Sequence, residues 1–598
     1  MPESEKATPP KTAAEAPGVK EAGFRRLFSK LRKRRIIETL AAFIGGGWLL
    51  LEFVHWILVD HYHFPEKSID LAFVTILGAL LGTLIWRWFG GRKEPRKLRP
   101  EVFLIPLVIL VTLGLDIDLL LHLKAPGPEA AATTEWKNSI AVLPFVDMSP
   151  QKDQEWFCDG ITDEIIGQLS NIRGLKVPAR TSVFFFKGKD QDIRDIGKKL
   201  GVATVLEGSI QKVESKLRAR VQLINIADGF HLWSEVFDRD MTDVFAIQDE
   251  IALAVADKLK ITLLADDKAK LAKRRTENIE AYELYLRALQ IGGAWTNEST
   301  ENGIAYLNRS IQLDPAYAPS HAALAFKYIS LATWGLGIPG ATFPKAKAEA
   351  LTAIELDDSF SEAHLALAAV KWRFDWDFSG AEREILKALK LNPNSATAHA
   401  SYSLLLTLMD RLDGSVVEAL KAYELDPVSF ESERDLAWTL YLARRYDESI
   451  ARMKKALGTD PDRPLELAIL AAAYARTGLD REAAAYSSRA RGLMPAGKEQ
   501  MLDAYLADPF CRTGNRAEAM KWIETWERRS SQGHVESFLM AVMIAPTGDR
   551  DRAFAWLEKA FVERSVNMPF LKVHPHLEVL HTDPRFLDLV RRVGFPDR

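Results

Sequence analysis

Cysteine is nearly absent from this 598-residue chain: Cys158 and Cys511 are the only two, and they lie far apart. No C-x-x-C or similar spacing exists, which excludes a disulfide framework and a cysteine-ligated metal site. So low a count is compatible with an oxidising compartment. Histidine is sparse too, and of the 12 present only "HYH" (His61 to His63) and "HPH" (His574 to His576) come close together. Neither has the i, i+4 spacing or the third ligand that zinc requires, so both are expected at the surface. An excess of one charge is also missing. With 78 basic and 81 acidic residues the net charge is −3, and no DNA-reading motif appears, so nucleic acid is not an expected partner. The chain has no P-loop, no G-x-S-x-G and no kinase-like set; no cofactor is implied and the expected class is non-enzymatic.

What is present is ample apolar material. Hydrophobic residues make up 47% of the chain and charged ones 27%, which rules out wholesale disorder, and the length calls for several domains. Residues 1–24 are Pro, Ala, Glu and Lys with little to bury and read as a disordered tail. They lack the short apolar core and cleavage site of a secretory signal.

Residues 25–123 read as a membrane region. Apolar runs at 36–59, 71–89 and 102–123 approach the length that spans a bilayer. The third is the weakest, because Asp116 and Asp118 leave only about 14 uninterrupted apolar residues, nearer an interfacial length. Basic flanks, "FRRLFSKLRKRR" and "GGRKEPRKLRPE", precede the first span and follow the second, whereas "DHYHFPEKSID" between them carries one lysine. The positive-inside rule then puts the amino terminus in the cytoplasm of a bacterium. Three crossings deliver everything after Leu123 to the periplasm; two would leave it cytoplasmic. Glu38 and Arg87 sit near span ends and snorkel, while Glu52 and His55 are spaced to pair on one helix face. A transport role would need Glu52, His55, Asp116 or Asp118 to matter for flux.

A Pro/Ala linker at 124–137 leads to a region, 138–264, where strand and helix patterns alternate. "SIAVLPFV" suits a buried strand, and Ile161, Ile165, Ile166 and Leu169 have helical spacing. "DIRDIGKKLG" repeats that spacing and ends on Gly201, where a helix C-terminal glycine belongs. A hairpin turning near Glu214 and Ser215 follows. Its second strand sets Leu217, Ala219, Val221 and Leu223 against Arg218, Arg220 and Gln222. "GFHLWSEVFDR" is a further strand, and "VFAIQDEIALAVADKLKITL" a closing helix.

The blocks "SIAVLPFVDMSPQKDQEWFCDGITDEIIGQLS", "FKGKDQDIRDIGKKLGVATVLEGSI", "VQLINIADGFHLWSEVFDR" and "DVFAIQDEIA" together resemble the TolB amino-terminal-like (FlgO-like) domain. That resemblance implies an α/β domain that commonly precedes tetratricopeptide repeats in bacterial proteins. Some relatives carry a cyclase or winged-helix domain in front of it; this chain has apolar runs there instead, so neither activity carries over. Within the first block, the acidic stretch "DQEWFCDGITDE" invites a metal-site or catalytic reading. A Ca²⁺ loop would need ligands where Trp156, Phe157 and Cys158 stand. The stretch reads better as a helix entrance, with Asp159 or Thr162 capping, Gly160 at a tight entry and Asp163 and Glu164 in the first turn. Cys158, with no histidine or base adjoining, reads as buried.

Downstream, Pro393, Pro427, Pro461 and Pro495 recur every 34 residues, and five residues before each stands Ala388, Ala422, Ala456 or Ala490. Thirty-four is the tetratricopeptide period. Seven or eight such repeats fit between Ile279 and Val566, and a capping tail, "HLEVLHTDPRFLDLVRRVGFP", closes the array at 279–598. Gly478, Gly514 and Gly548 mark turns between helices. Stacked pairs build a superhelix with a concave face that takes protein partners. Alignment on the prolines points Arg373, Glu431, Arg434, Trp438, Tyr441 and Arg476 toward that face.

The expected architecture is therefore multi-domain: a helical membrane anchor, a small α/β domain and an all-α tetratricopeptide solenoid. The expected function is a scaffold or adaptor anchored in the bacterial inner membrane. Rival readings are a signalling protein acting on a separate cyclase or transcriptional output, a transporter-associated subunit, and an enzyme built on the acidic cluster.

Overall fold

A computed structural model of the chain describes residues 136–240, 244–261, 276–291, 297–494, 500–533 and 535–596, together with helical Leu80, Leu81, Thr83 and Leu84. Apart from those four, the described residues all belong to one compact unit, Ala132–Arg598. The expected spans at 36–59 and 102–123, with "HYH", lie outside the described residues, as does the span at 71–89 except for the same four. No described helix is long and apolar enough to cross a membrane.

The α/β module holds strands β1 (Trp136–Val142), β2 (Val146–Asp147), β3 (Val202–Val213), β4 (Lys216–Asn225) and β5 (His231–Asp240), with helices α1 (Glu155–Ser170), α2 (Arg180–Phe184), α3 (Ile193–Leu200) and α4 (Val244–Lys258). The sheet order is β1-β3-β4-β5, and β2 pairs with β3 as well. β1 and β2 run parallel to β3, while β3–β4 and β4–β5 are antiparallel. The apolar run "SIAVLPFV" is split because Pro144 offers no N–H to a ladder. Leu217, Ala219, Val221 and Leu223 of β4 turn to the core with Ile165 and Ile251 of the covering helices. Asp192 caps α3 by accepting from the Arg194 N–H, and Gly201 closes it at φ +67°.

The entrance to α1 corrects one expectation. The helix starts at Glu155, not at Ile161, and its N-cap Gln154 makes no side-chain cap. Asp159, Gly160 and Thr162 are therefore inside the helix and cap nothing. Instead both Asp159 oxygens accept from Lys187 Nζ at 2.7 Å, and Thr162 Oγ1 accepts the Phe145 N–H at 3.0 Å. Gly160 serves a close approach: a Cβ there would stand 2.5 Å from Leu286 Cδ1 on a later helix. Cys158 is buried, and that burial pushes its thiol up to about 12.

From Ile279 on, helices alternate in hairpins. First helices are α5 (Ile279–Gln290), α7 (Ala318–Thr333), α9 (Ser361–Val370), α11 (Ala396–Leu408), α13 (Phe430–Leu442), α15 (Pro464–Arg476), α17 (Gln500–Arg512) and α19 (Ser537–Ile544). Their partners are α6 (Asn297–Leu313), α8 (Pro339–Leu356), α10 (Phe378–Leu391), α12 (Leu412–Leu425), α14 (Tyr446–Thr459), α16 (Asp480–Leu493), α18 (Arg516–Ser530) and α20 (Arg550–Val562). This is a tetratricopeptide-like helical repeat region beside a small sheet domain. Ala388, Ala422, Ala456 and Ala490 are all buried where the paired helices meet. From the second hairpin on, the turn between the paired helices takes one left-handed residue: Gly335, Trp376, Asp410, Arg444, Gly478, Gly514 and Gly548 in chain order. Only the glycines could announce it in sequence.

Successive repeats share a second device. The fourth residue of α7, α9 and α11 is a histidine whose Nδ1 meets a glutamate of the partner helix: His321–Glu349 at 2.6 Å, His364–Glu384 at 2.8 Å and His399–Glu418 at 2.6 Å. Each Nε2 faces a carbonyl of the preceding loop, Pro315, Asp358 or Pro393, at 3.1 Å. In the next repeat the pair is replaced by Glu433 and Arg452, 3.0 Å apart and buried.

Two long-range contacts fix the array. The α/β module docks on the inter-repeat loops: Asn394 Nδ2 donates to the carbonyls of Ser170 and Leu175 at 2.9 and 2.7 Å, and Ala179 N–H donates to Leu425 O at 2.7 Å. Asp426 accepts from Thr181 and Ser182 hydroxyls at 2.6 and 2.5 Å. The carboxy-terminal segment, ending in α21 (Pro584–Val593), folds back on much earlier repeats. Arg564 Nη1 donates to Phe374 O at 2.7 Å, Phe595 stacks on Phe378 at 4.8 Å, and Phe561 meets Trp376 at 5.2 Å. His574 and His576, expected at the surface, are buried beneath this closure, and burial pulls both well below the usual histidine range.

The clamps predict a pH window. The His364 hydrogen bond, opposed by burial and reinforced by Lys371, holds the Glu384 carboxyl at about 2. Its folded value lies below the unfolded one, so its stabilisation is present above about pH 4.5 and fades as pH falls toward 2. Burial alone would lower His321, but Glu349 and the Pro315 carbonyl raise it on balance. Its contribution is complete below about pH 6.5 and fades as pH rises. Thermal melts of Glu384→Gln against wild type should differ most above pH 5 and converge near pH 2; a gap independent of pH would refute the assignment.

Candidate protein-binding groove

The first helices of the repeats line the inner surface, and one cavity of about 450 Å³ opens between α11, α13 and the end of α9. Its floor is apolar, with Leu404, Leu436 and Trp438; Thr181 of the α/β module and Asp426 close one side. Arg373, Glu431 and Trp438, three of the six residues expected on the concave face, share this cavity.

Arg373 reaches it from a π-helical turn, Lys371–Asp375, that extends α9. Its guanidinium lies over the Trp372 ring at 4.0 Å. Burial lowers it to about 10, and among the described residues no carboxylate comes close enough to raise it again. Glu431 and Asp435 also line the cavity. The Asp435 carboxyl is raised by desolvation, opposed by Arg434, which donates to it at 2.8 and 2.9 Å. The lining thus combines one cation, two acids and a flat aromatic, Trp438.

The other three expected residues lie elsewhere. Arg434 is absent from the cavity lining, turned to Asp435 and, at 3.9 Å, to Glu466. Tyr441 has no exposed surface. It stacks on Trp438 at 5.5 Å with its hydroxyl 3.4 Å from His576 Nε2, so it belongs to the core. Arg476 is consumed by the chain itself: Nε donates to Asp508 at 2.9 Å, Nη1 to Glu578 at 2.8 Å and Nη2 to the Pro575 carbonyl at 2.8 Å. Proline alignment gives the phase of a helix but cannot show that a later segment covers it. Asp426, Asp435 and Thr181 were missed; Asp426 is legible in "LDP" as repeat punctuation, but its partner Thr181 is 245 residues away.

Among the described residues no cluster of three His, Cys, Asp or Glu could hold a metal ion. The cavity offers ion pairing, hydrogen bonds and apolar contact.

Comparison with known proteins bears on each part. Residues 136–254 match the family model "HilA/YgeH-like transcriptional regulator, second domain". A protein of Rhizobium meliloti (strain 1021) named "Putative adenylate cyclase 3" is 37% identical over 250 residues, 41% of this chain and 42% of its own length. The chain therefore spans about two fifths of that relative. Among solved structures, a tetratricopeptide repeat protein from Parabacteroides merdae covers 46% of this chain and all of its own at 14% identity, with a TM-score of 0.33. PilF of Pseudomonas aeruginosa covers 35% of this chain and 93% of its own at 18% identity, with a TM-score of 0.28. Scores this low carry no argument, and the repeat assignment rests on the helix hairpins and on turns that recur 34 to 36 residues apart from Trp376 to Gly548.

Arg373→Ala and Arg476→Ala should separate the open cavity from the covered face. Removing Arg476 takes one of two cationic partners from Asp508 and from Glu578, leaving Arg512 and Arg444, and should cost about 1.5–3 kcal/mol, seen as a lower melting temperature and faster tryptic loss of the carboxy-terminal segment. Removing Arg373 takes away a partly buried cation with no counter-charge and should leave stability unchanged or raise it. Equal losses would contradict this division.

Proposed function

We propose that this chain is a non-enzymatic scaffold that binds a protein partner through the cavity at Arg373, Glu431 and Trp438, anchored to the inner membrane with its repeats in the periplasm. The observation that carries the binding role is the mixed-charge cavity itself. A guanidinium without a counter-ion gains most from a partner's carboxylate, and Glu431 and Asp435 would take a basic group of the same segment. Trp438 supplies a rigid aromatic anchor of the kind that dominates binding hot spots. The anchor and compartment rest on the apolar runs and basic flanks of residues 25–123, and the TolB-like character of the α/β module on its sequence blocks.

A photo-crosslinker placed at Thr397, which lines the cavity, should trap a defined partner in cells expressing the full chain. Arg373→Ala with Trp438→Ala should reduce that product at least ~10-fold, the effect of losing about 1.4 kcal/mol or more. A product of unchanged yield would refute the cavity as the binding site. Reporter fusions after Leu123 test the topology separately: an active cytoplasmic reporter would refute the periplasmic placement.

A regulatory reading is favoured by one finding, the match of 136–254 to a transcriptional-regulator domain family beside a relative named as a cyclase. Here the module would report occupancy of the groove to a separate output protein. Its mark would be a crosslink from the α/β module to that protein that depends on Arg373.

A further inference from the structure

The α/β module has a cavity of its own, about 810 Å³, on the sheet face opposite α1 and α4. Its floor is made by β3 and β4, and its roof by the loop before α3. Glu207 and Ser209 of β3 stand opposite Gln222 and Arg220 of β4 in the ladder, so the four side chains form a square on one sheet face. None of the four has a side-chain hydrogen bond or ion pair among the described residues. Elsewhere on that face the equivalent groups are satisfied: Arg218 pairs with Asp238, and Lys216 with Asp240 at 2.7 Å.

The other charges on the wall are spent. Asp147 accepts the N–H groups of Ser149 and Gln154 at 2.8 Å, and Lys187 holds Glu155 and Asp159 at 2.6 and 2.7 Å. Lys152 acts on Asp147 only at longer range, and Lys189 and Arg220 make no ion pair among the described residues, against Glu207 alone. The balance of free charge is positive, with a single acid beside the arginine. Phe145, Phe186, Ile193 and Ile196 provide an apolar wall. The cavity lies beyond Val142, the carboxyl end of β1, and runs beside β2, parallel strands whose carboxyl ends are where open α/β sheets take ligands. Its volume is within the range that holds a small organic molecule.

We infer that this cavity is a binding site for a small organic acid bearing a donor group next to its carboxylate, of the α-amino or α-hydroxy acid class. Arg220 takes the carboxylate with its planar fork. Glu207, with Gln222 and Ser209, takes the ammonium or hydroxyl group, and the body of the ligand lies on Phe145 and Phe186. The site is independent of the groove at Arg373.

Isothermal titration of the full-length protein with four related probes tests this directly. L-Phenylalanine and L-phenyllactate should bind saturably. L-Phenylalaninamide, without the carboxylate, should bind at least ~10-fold more weakly, as should any probe to Arg220→Met, on the scale of one charge-assisted hydrogen bond. Hydrocinnamate, without the donor group, should be weakened, and Glu207→Gln should cost L-phenylalanine more than L-phenyllactate. Arg220 is exposed, so an unchanged melting temperature of Arg220→Met will confirm that the variant folds. The inference is overturned if neither L-phenylalanine nor L-phenyllactate binds below about 10 mM. Equal binding by the amide, or by Arg220→Met, overturns it as well.

Discussion

The carboxy-terminal closure of the repeat array depends on a knot of partly buried charge. Glu578, on the turn after His576, is held by Arg444 and Arg476, which come from the hairpins of two successive repeats. Arg476 is shared with Asp508 of a third. The carbonyls of Val573 and Pro575 accept from the same two arginines at 2.8 Å. Buried charges of this kind are tolerated only when their lone pairs and protons are met on several sides, so the segment cannot shift without stranding at least three of them. His574 and His576 sit under the knot, and neutral imidazoles are the form that this cationic, waterless surrounding permits. Closure then becomes a constraint on function, since the inner wall at Tyr441 and Arg476 is no longer available to a partner.

Against that fixed end, the other end of the inner surface is shaped by the α/β module. Asn394 and Asp426 belong to loops that in a free-standing array would face water; here they bind the segment from Ser170 to Ser182. Their buried polar atoms are satisfied across more than 200 residues of sequence, and a partly satisfied interface of this type would be destabilising. The module therefore serves as a cap for the repeats as well as a domain in its own right, and Thr181 becomes a wall of the cavity between α11 and α13.

Much of this was legible in the sequence because it follows from local rules. The alternation in β4 placed Leu217 to Leu223 in the core, the glycine after Leu200 ended α3, and the recurrent alanines and prolines gave the repeat period. Local rules failed where distant residues decide. Asp159 and Thr162 resemble caps because Asp and Thr favour helix entrances, yet α1 begins earlier, and they instead bind Lys187 and the Phe145 N–H. The histidines of "HPH" looked solvent-facing because nothing near them in sequence explains their burial. The three histidine clamps went unseen because each lies far from its glutamate, and the repeat spacing around them is irregular.

Arg373 and Arg476 show how far a pattern can carry a site. Both stand at the end of a first helix, about three repeat lengths apart, and alignment gave them the same direction. Local physics treats them alike: each guanidinium is largely withdrawn from water by the concave wall. They are distinguished by one carboxylate, Glu578, carried by a segment 102 residues beyond Arg476 and delivered only by closure. With it, Arg476 is part of the framework. Among the described residues no such carboxylate reaches Arg373, which lies over the Trp372 ring and shares its cavity with Glu431 and Asp435. The same residue type in the same repeat position is structural where the chain supplies the counter-charge. Where the chain does not, the cost of burial remains for a partner to offset, which is why the proposed binding site centres on Arg373.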